Sequence, residues 1–204
     1  MPAPHWIALV DAVEEILVNT SLLLAEVDTN QDGTRPTDCP GWTVQDQVSH
    51  MVGLEQLLSG AAHPPIELPP LDHVVSDLDA YMERPVQARR MLPFIAVIDE
   101  LNGMVPRRVS QYRELIDQGD PETASPLGAT RPLSRALPLR VFDLWVHEQD
   151  IRRALGVAPR LTGVSSALVQ NRILEAWQDR FRSRVAADGH LRLSVGGAMP
   201  ARVK

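Results

Sequence analysis

The chain reads as an all-α protein: an antiparallel four-helix bundle with an additional C-terminal helix and a short strand-like tail. Three observations predict this. Long segments carry apolar residues at three- and four-residue steps. The stretches between them are dense in Pro, Gly, Asp and Thr. Alternating β-branched runs are scarce. A length of 204 residues suits one domain with a substantial core, placed at 1–187, followed by the tail at 188–204.

Each element follows from its local pattern. Trp6, Val10, Val13, Leu17 and Leu24, with Leu9 and Ile16 beside them, predict a first helix from Pro4 to Glu26 whose polar face holds Asp11, Glu14 and Glu15. Residues 27–42 form a long surface connection ending in the turn Cys39-Pro40-Gly41. Thr43 followed by Asp46 forms a capping box that starts a second helix, running to Ala61. The proline-rich run HPPIELPPLD is an extended connector. From His73 to Arg90 and from Pro93 to Gln118 helical spacing returns, interrupted at Pro85 and Pro106, with Pro93 at a first-turn position. After a loop from Gly119 to Pro132, a strongly periodic segment spans Ser134 to Leu155 and stops at Gly156. Val164 to Ala187 makes a fifth principal helix, and HLRLSV alternates like a short strand.

Composition narrows the function. With 20 basic against 26 acidic residues and a net charge of −6, the chain lacks the basic field that holds a phosphate backbone, so nucleic acid is excluded as a partner. The longest apolar stretches, such as Ser21 to Ala25 and Leu92 to Ile98, fall far below the roughly 20 residues a membrane span needs. The start, MPAPHWIALVDAVEEILV, lacks a basic region ahead of an apolar core, which predicts a cytoplasmic protein. A single cysteine, Cys39, permits no internal disulfide and reads as a packing residue in a turn. His5, His63, His73 and His190 fall in loops or termini and are expected to be solvated, while Trp42 and Trp145 are expected in the core.

The chemistry sits on the helix that ends at Gly156. At about 100° per residue, Asp143, His147, Asp150 and Ala154 fall within one narrow stripe, flanked by Phe142 and Val146 on one side and Leu144 and Ile151 on the other. Glu148, Gln149 and Arg152 lie opposite, where a solvent-facing side is expected. Inward carboxylates and an imidazole need compensation, which a cation would supply. His50 on the second helix stacks with Leu54 and Leu57 on the core-facing arc. Together His50, Asp143 and His147 make a two-histidine, one-carboxylate set suited to zinc or another first-row divalent ion. Asp150, one turn beyond His147, is positioned to orient that imidazole from the outer shell. Other readings of the same residues stay open: a hydrogen-bonded histidine at the core edge, an Asp143–His147 ion pair, or Asp150 bound to Arg152 or Arg140 at the surface.

The strings TDCPGWTVQDQVSHMVGLE, from Thr37 to Glu55, and RVFDLWVHEQDIRRALG, from Arg140 to Gly156, resemble the two hallmark segments of the DinB-like, mycothiol-dependent maleylpyruvate isomerase family. ARRMLPFIAVIDEL and SPLGATRPLSRALPLRVFDLW extend the resemblance more weakly over most of residues 1–186. It implies an antiparallel four-helix bundle that holds a divalent ion, zinc first, through His50, Asp143 and His147, with mycothiol as the thiol cosubstrate. The isomerases of the family are expected to carry Glu where this chain has Asp143, one methylene shorter. Some relatives also carry a C-terminal α/β extension, and any thiol or substrate contacts from it are not expected here.

Two functions follow from this reading. In the first, a metal-dependent isomerase or thiol transferase activates a low-molecular-weight thiol for addition to an electrophilic small molecule. In the second, the ion merely stabilises a non-catalytic bundle that binds a ligand or a partner, with a homodimer as one such form.

Overall fold

A computed structural model describes residues 4–125 and 129–182, residue 184, and two short strands at 193–195 and 201–203. Among the described residues six helices carry the fold: α1 (Pro4–Leu24), α2 (Val44–Leu58), α3 (Asp77–Gln87), α4 (Phe94–Asp117), α5 (Leu133–Ala154) and α6 (Val164–Arg182). One 3-10 turn, Asp32–Thr34, lies in the connection before α2.

Helices α1, α2, α4 and α5 form the predicted four-helix bundle. α1 and α2 each pack against both α4 and α5. α3 covers α2, and α6 lies against α1 and α5. The α1 apolar stripe supplies Val10, Val13, Ile16 and Leu17 to the core, each 1% exposed or less. Val48, Met51 and Val52 of α2 meet them there, with Val97 and Leu101 of α4 and Leu137, Leu144 and Ile151 of α5.

Helix ends follow side-chain chemistry. Thr43 is the N-cap of α2: its hydroxyl accepts from the Asp46 backbone N–H, and the Asp46 carboxylate accepts from the Thr43 N–H, completing the capping box. Thr43→Ala is expected to lower stability by about 1 kcal/mol, read as a lower urea midpoint at unchanged slope. A midpoint equal to wild type would show that the box contributes nothing. At the other end of the pair, Gly156 takes a φ of 71° just after α5, the left-handed conformation that a side chain would disfavour.

Several boundaries differ from expectation. α1 ends at Leu24 and α2 at Leu58, each short of the periodic pattern. α3 and α4 run through Pro85 and Pro106, and α5 runs through Pro138, so these prolines remove single N–H donors without ending the helices. Pro93 is the N-cap of α4, one residue outside the helix. The loop from Gly119 to Pro132 contains an antiparallel hairpin, β1 (Glu122–Ala124) with β2 (Thr130–Pro132), too short to leave a periodic signal. β3 (Leu193–Val195) falls within the predicted strand and pairs with β4 (Ala201–Val203). His190 and the expected end of α6 at Ala187 lie outside the described residues.

One face of α5 is reversed. Glu148 and Gln149, expected toward solvent, are 0% and 7% exposed. The chain after Gly156 folds back over that side of α5 and brings α6 with it. Arg160 donates from Nη2 to Glu148 and from Nη1 to Glu15 of α1, and Arg152 Nε donates to the same Glu148 carboxylate at 2.8 Å. Glu15 in turn accepts from the backbone N–H groups of Val164 and Ser165 at the start of α6. Burial of Glu148 is therefore compensated by two guanidiniums from outside the bundle's own apolar pattern.

Candidate metal centre

The bundle brings His50, Asp143 and His147 to one point between α2 and α5. One ligand atom from each lies within 4.8 Å of the others. His147 Nε2 stands 3.4 Å from Asp143 Oδ1, and His50 Nε2 stands 3.7 Å from Asp143 Oδ2. The 3.7 Å separation is too long for a hydrogen bond. Two ligands of one tetrahedral ion, each at about 2.0–2.2 Å, stand roughly 3.4 Å apart, so the donor set fits a shared cation. Both ring nitrogens of His50 and Nδ1 of His147 are buried without a hydrogen-bond partner among the described residues, a costly arrangement that coordination would relieve. These three side chains could hold a metal ion.

Their electrostatics match that role. Burial first, and the neighbouring His147 second, push the His50 pKa down to about 4, leaving a neutral imidazole near pH 7. For Asp143, burial works against ionisation, but His147 and Arg140 overcome it and hold the carboxyl well below its usual range. Neutral imidazole and ionised carboxylate are the forms that bind cations.

The centre sits between two polar cross-links that tie α2 to α5. One turn to one side, Gln47 Nε2 donates to Asp150 Oδ2 at 3.5 Å. One turn to the other, Arg140 Nε donates to Glu55 Oε1 at 2.7 Å and Nη2 to the Met51 carbonyl at 3.1 Å. Rising numbers on α2 meet falling numbers on α5, so the helices are antiparallel. Among the described residues Asp150 thus pairs with Gln47 and with neither Arg152 nor Arg140, while His147 acts to lower its carboxyl pKa. Burial raises the Asp150 carboxyl pKa above its ordinary value.

Sequence reasoning missed the groups that buttress the site. Glu55, 0% exposed, also accepts from Arg108 Nε at 2.5 Å and from the Tyr112 hydroxyl at 2.9 Å, both on α4. Trp42 is buried as expected, and its indole packs against His50 and His147 at ring-centroid distances of 4.9 and 5.9 Å. Its Nε1–H donates to Glu83 Oε2 at 2.8 Å. Glu83, 1% exposed, also contacts His73 and Arg90, which line a surface cavity of about 470 Å³. His73 is therefore half-buried and engaged, and His63 packs its ring against Tyr81 at 4.3 Å, so neither is simply solvated. His5 is exposed, as expected, though it lies on α1. Trp145 is half-buried and donates to Ser166 Oγ at 3.0 Å.

Cys39 lies near the carboxylates of Asp150, Glu83 and Asp46. Burial, with help from those three charges, pushes its thiol up to about 11. Such a thiol stays protonated and weakly nucleophilic at neutral pH.

Comparison with known proteins places the chain in a family. The mycothiol maleylpyruvate isomerase N-terminal domain family matches residues 13–152. The chain belongs to this family. That match spans α2 and all but the last two residues of α5, and contains all three residues of the His/Asp/His cluster. No curated protein and no solved structure matches the chain. Among the described residues, no helix is long and apolar enough to cross a membrane.

Proposed function

We propose that this member of the family is a divalent-metal-dependent enzyme that uses a low-molecular-weight thiol, mycothiol, to isomerise or conjugate an electrophilic small molecule. The observation that carries the reading is the inward His50/Asp143/His147 cluster. Bound there, a divalent ion, zinc first among the choices, supplies a Lewis acid that lowers the pKa of a nearby thiol.

The protein's own residues do the rest. His50 enters as a neutral base fixed by burial and by the Trp42 indole. His147 and Arg140 keep Asp143 ionised. Asp150 is assigned to the outer shell of His147, steadied from α2 by Gln47. Among the described residues the cluster contains no cysteine, and the attacking sulfur is assigned to the cosubstrate. Thiolate addition to an activated double bond leaves a single bond that can rotate. Expulsion of the same thiolate restores the double bond, so isomerisation consumes no thiol, whereas retention of the adduct gives transfer.

Elemental analysis of the purified protein, paired with calorimetric titration by mycothiol before and after metal stripping, tests this. The expected result is stoichiometric metal and thiol binding that disappears with the ion. Thiol binding that survives stripping would overturn the scheme. Metal that raises the melting temperature with no thiol binding in either state would favour the non-catalytic, metal-stabilised bundle.

A further inference from the structure

Arg140 is 1% exposed, and each of its three nitrogens has its own partner on the α2–α5 interface. Nε donates to Glu55 Oε1, Nη2 donates to the Met51 carbonyl, and Nη1 donates to Asp143 Oδ2. Glu55 is itself fixed by Arg108 and Tyr112 of α4. The guanidinium is a rigid planar fork, so two anchored nitrogens dictate where the third points. Asp143 has a short side chain and is, among the described residues, the one partner of Arg140 near the surface, with 26% of that side chain exposed. Oδ2, the oxygen 3.7 Å from His50 Nε2, is thereby committed to a charge-assisted hydrogen bond, which leaves Oδ1, 3.4 Å from His147 Nε2, as the oxygen free for a cation.

We propose that Arg140, anchored by Glu55 and Met51, is a positioning residue that fixes Asp143 as a one-oxygen ligand and so sets the affinity and coordination number of the metal centre. The inference rests on the metal-centre reading above and deepens it. A carboxylate free to rotate could offer both oxygens to a cation. With Oδ2 held by Arg140, Asp143 gives one, and the remaining coordination positions stay available to a thiol. Holding Asp143 in place also spares a cation the cost of ordering a rotating carboxylate, so the clamp tightens binding.

Cobalt(II) titration of the metal-stripped full chain, followed by visible absorption, tests the clamp in wild type and in Arg140→Lys. Lysine keeps the charge opposite Glu55 and Asp143 but cannot hold three partners in a fixed fork. The expected result is a cobalt dissociation constant about 10–100-fold higher in the variant, with a changed d–d band. A folded variant with wild-type affinity and band would overturn the clamp while leaving the metal centre standing. Failure of wild type to bind cobalt at all would overturn the metal-centre reading and the clamp with it. A crystal structure of the wild-type protein loaded with cobalt decides the matter independently of how the variant folds. One Asp143 oxygen on the metal and the other on Arg140 supports the proposal, and two-oxygen coordination by Asp143 or a released Arg140 refutes it.

Discussion

Glu55→Gln is expected to destabilise the protein by about 3–5 kcal/mol, a large part of the roughly 5–15 kcal/mol that holds a typical domain together. The reason lies in charge balance. Glu55, Asp143, Arg108 and Arg140 form a buried set of two anions and two cations joined by direct contacts. Neutralising Glu55 leaves Arg140 with Asp143, but it leaves Arg108 with only the Gln111 amide and the Tyr112 ring, 4.0 Å from its guanidinium carbon. A buried cation without an anion is the costly product. Urea denaturation of wild type and variant at pH 7 measures the loss, and a difference under 1 kcal/mol would mean the network is better solvated than its burial indicates.

The same network makes a pH prediction. Burial alone would raise the Glu55 carboxyl, but Arg140 and Arg108 overcome it and hold the pKa below its ordinary 4.5. A folded-state pKa below the unfolded one contributes stability that is complete above 4.5 and drains away as pH falls through the lower, folded value. Wild type and Glu55→Gln should therefore differ most at neutral pH and converge in acid below 4.5. Removing both sides of one pair, as in Glu55→Leu with Arg108→Met, is expected to recover part of the loss, since apolar replacement of a whole buried pair is often tolerated.

How much of this was legible in the sequence depended on how local each signal was. The capping box at Thr43, the α5 stripe of Asp143, His147 and Asp150, and the inward arc of His50 all repeat within a turn or two of one helix, so periodicity alone exposes them. The Glu55 network joins residues 53 and 85 positions apart, and no local pattern distinguishes a buried glutamate in LEQLL from a solvated one. A signal did exist. Arg140 falls about 60° from Asp143 on the helical wheel, and Glu55 sits one turn beyond the buried Met51, so both lie on inward arcs and each requires a counter-charge. Glu148 failed for a different reason: its side of α5 is polar in sequence and becomes interior only when Arg160 and α6 cover it. Burial there is a property of tertiary contacts, which hydrophobic periodicity cannot express.

His50→Leu is expected to abolish metal binding while leaving the metal-free protein about as stable as wild type or more so. In the absence of a ligand, His50 is a liability. It is 2% exposed, neither of its ring nitrogens has a hydrogen-bond partner among the described residues, and burial drives its pKa down to about 4. An unsatisfied buried polar group costs about 1–3 kcal/mol, and leucine removes that cost while filling similar space between Trp42 and the α5 stripe. Against this stands the lost ring contact with Trp42, about 0.5–1.5 kcal/mol, so the net change in the stripped protein should fall between a loss of about 0.5 kcal/mol and a gain of about 2.5 kcal/mol. The metal-loaded comparison runs the other way. At a free ion concentration near 100 times its dissociation constant, wild type should gain about 2.7 kcal/mol, and the variant nothing. Thermal melts of both proteins with and without zinc separate the two contributions. A histidine kept for packing would show the reverse pattern: a lower melting temperature in the stripped variant and the same response to zinc in both. A residue that costs stability until a cation arrives is retained for what it binds, and His50 meets that description.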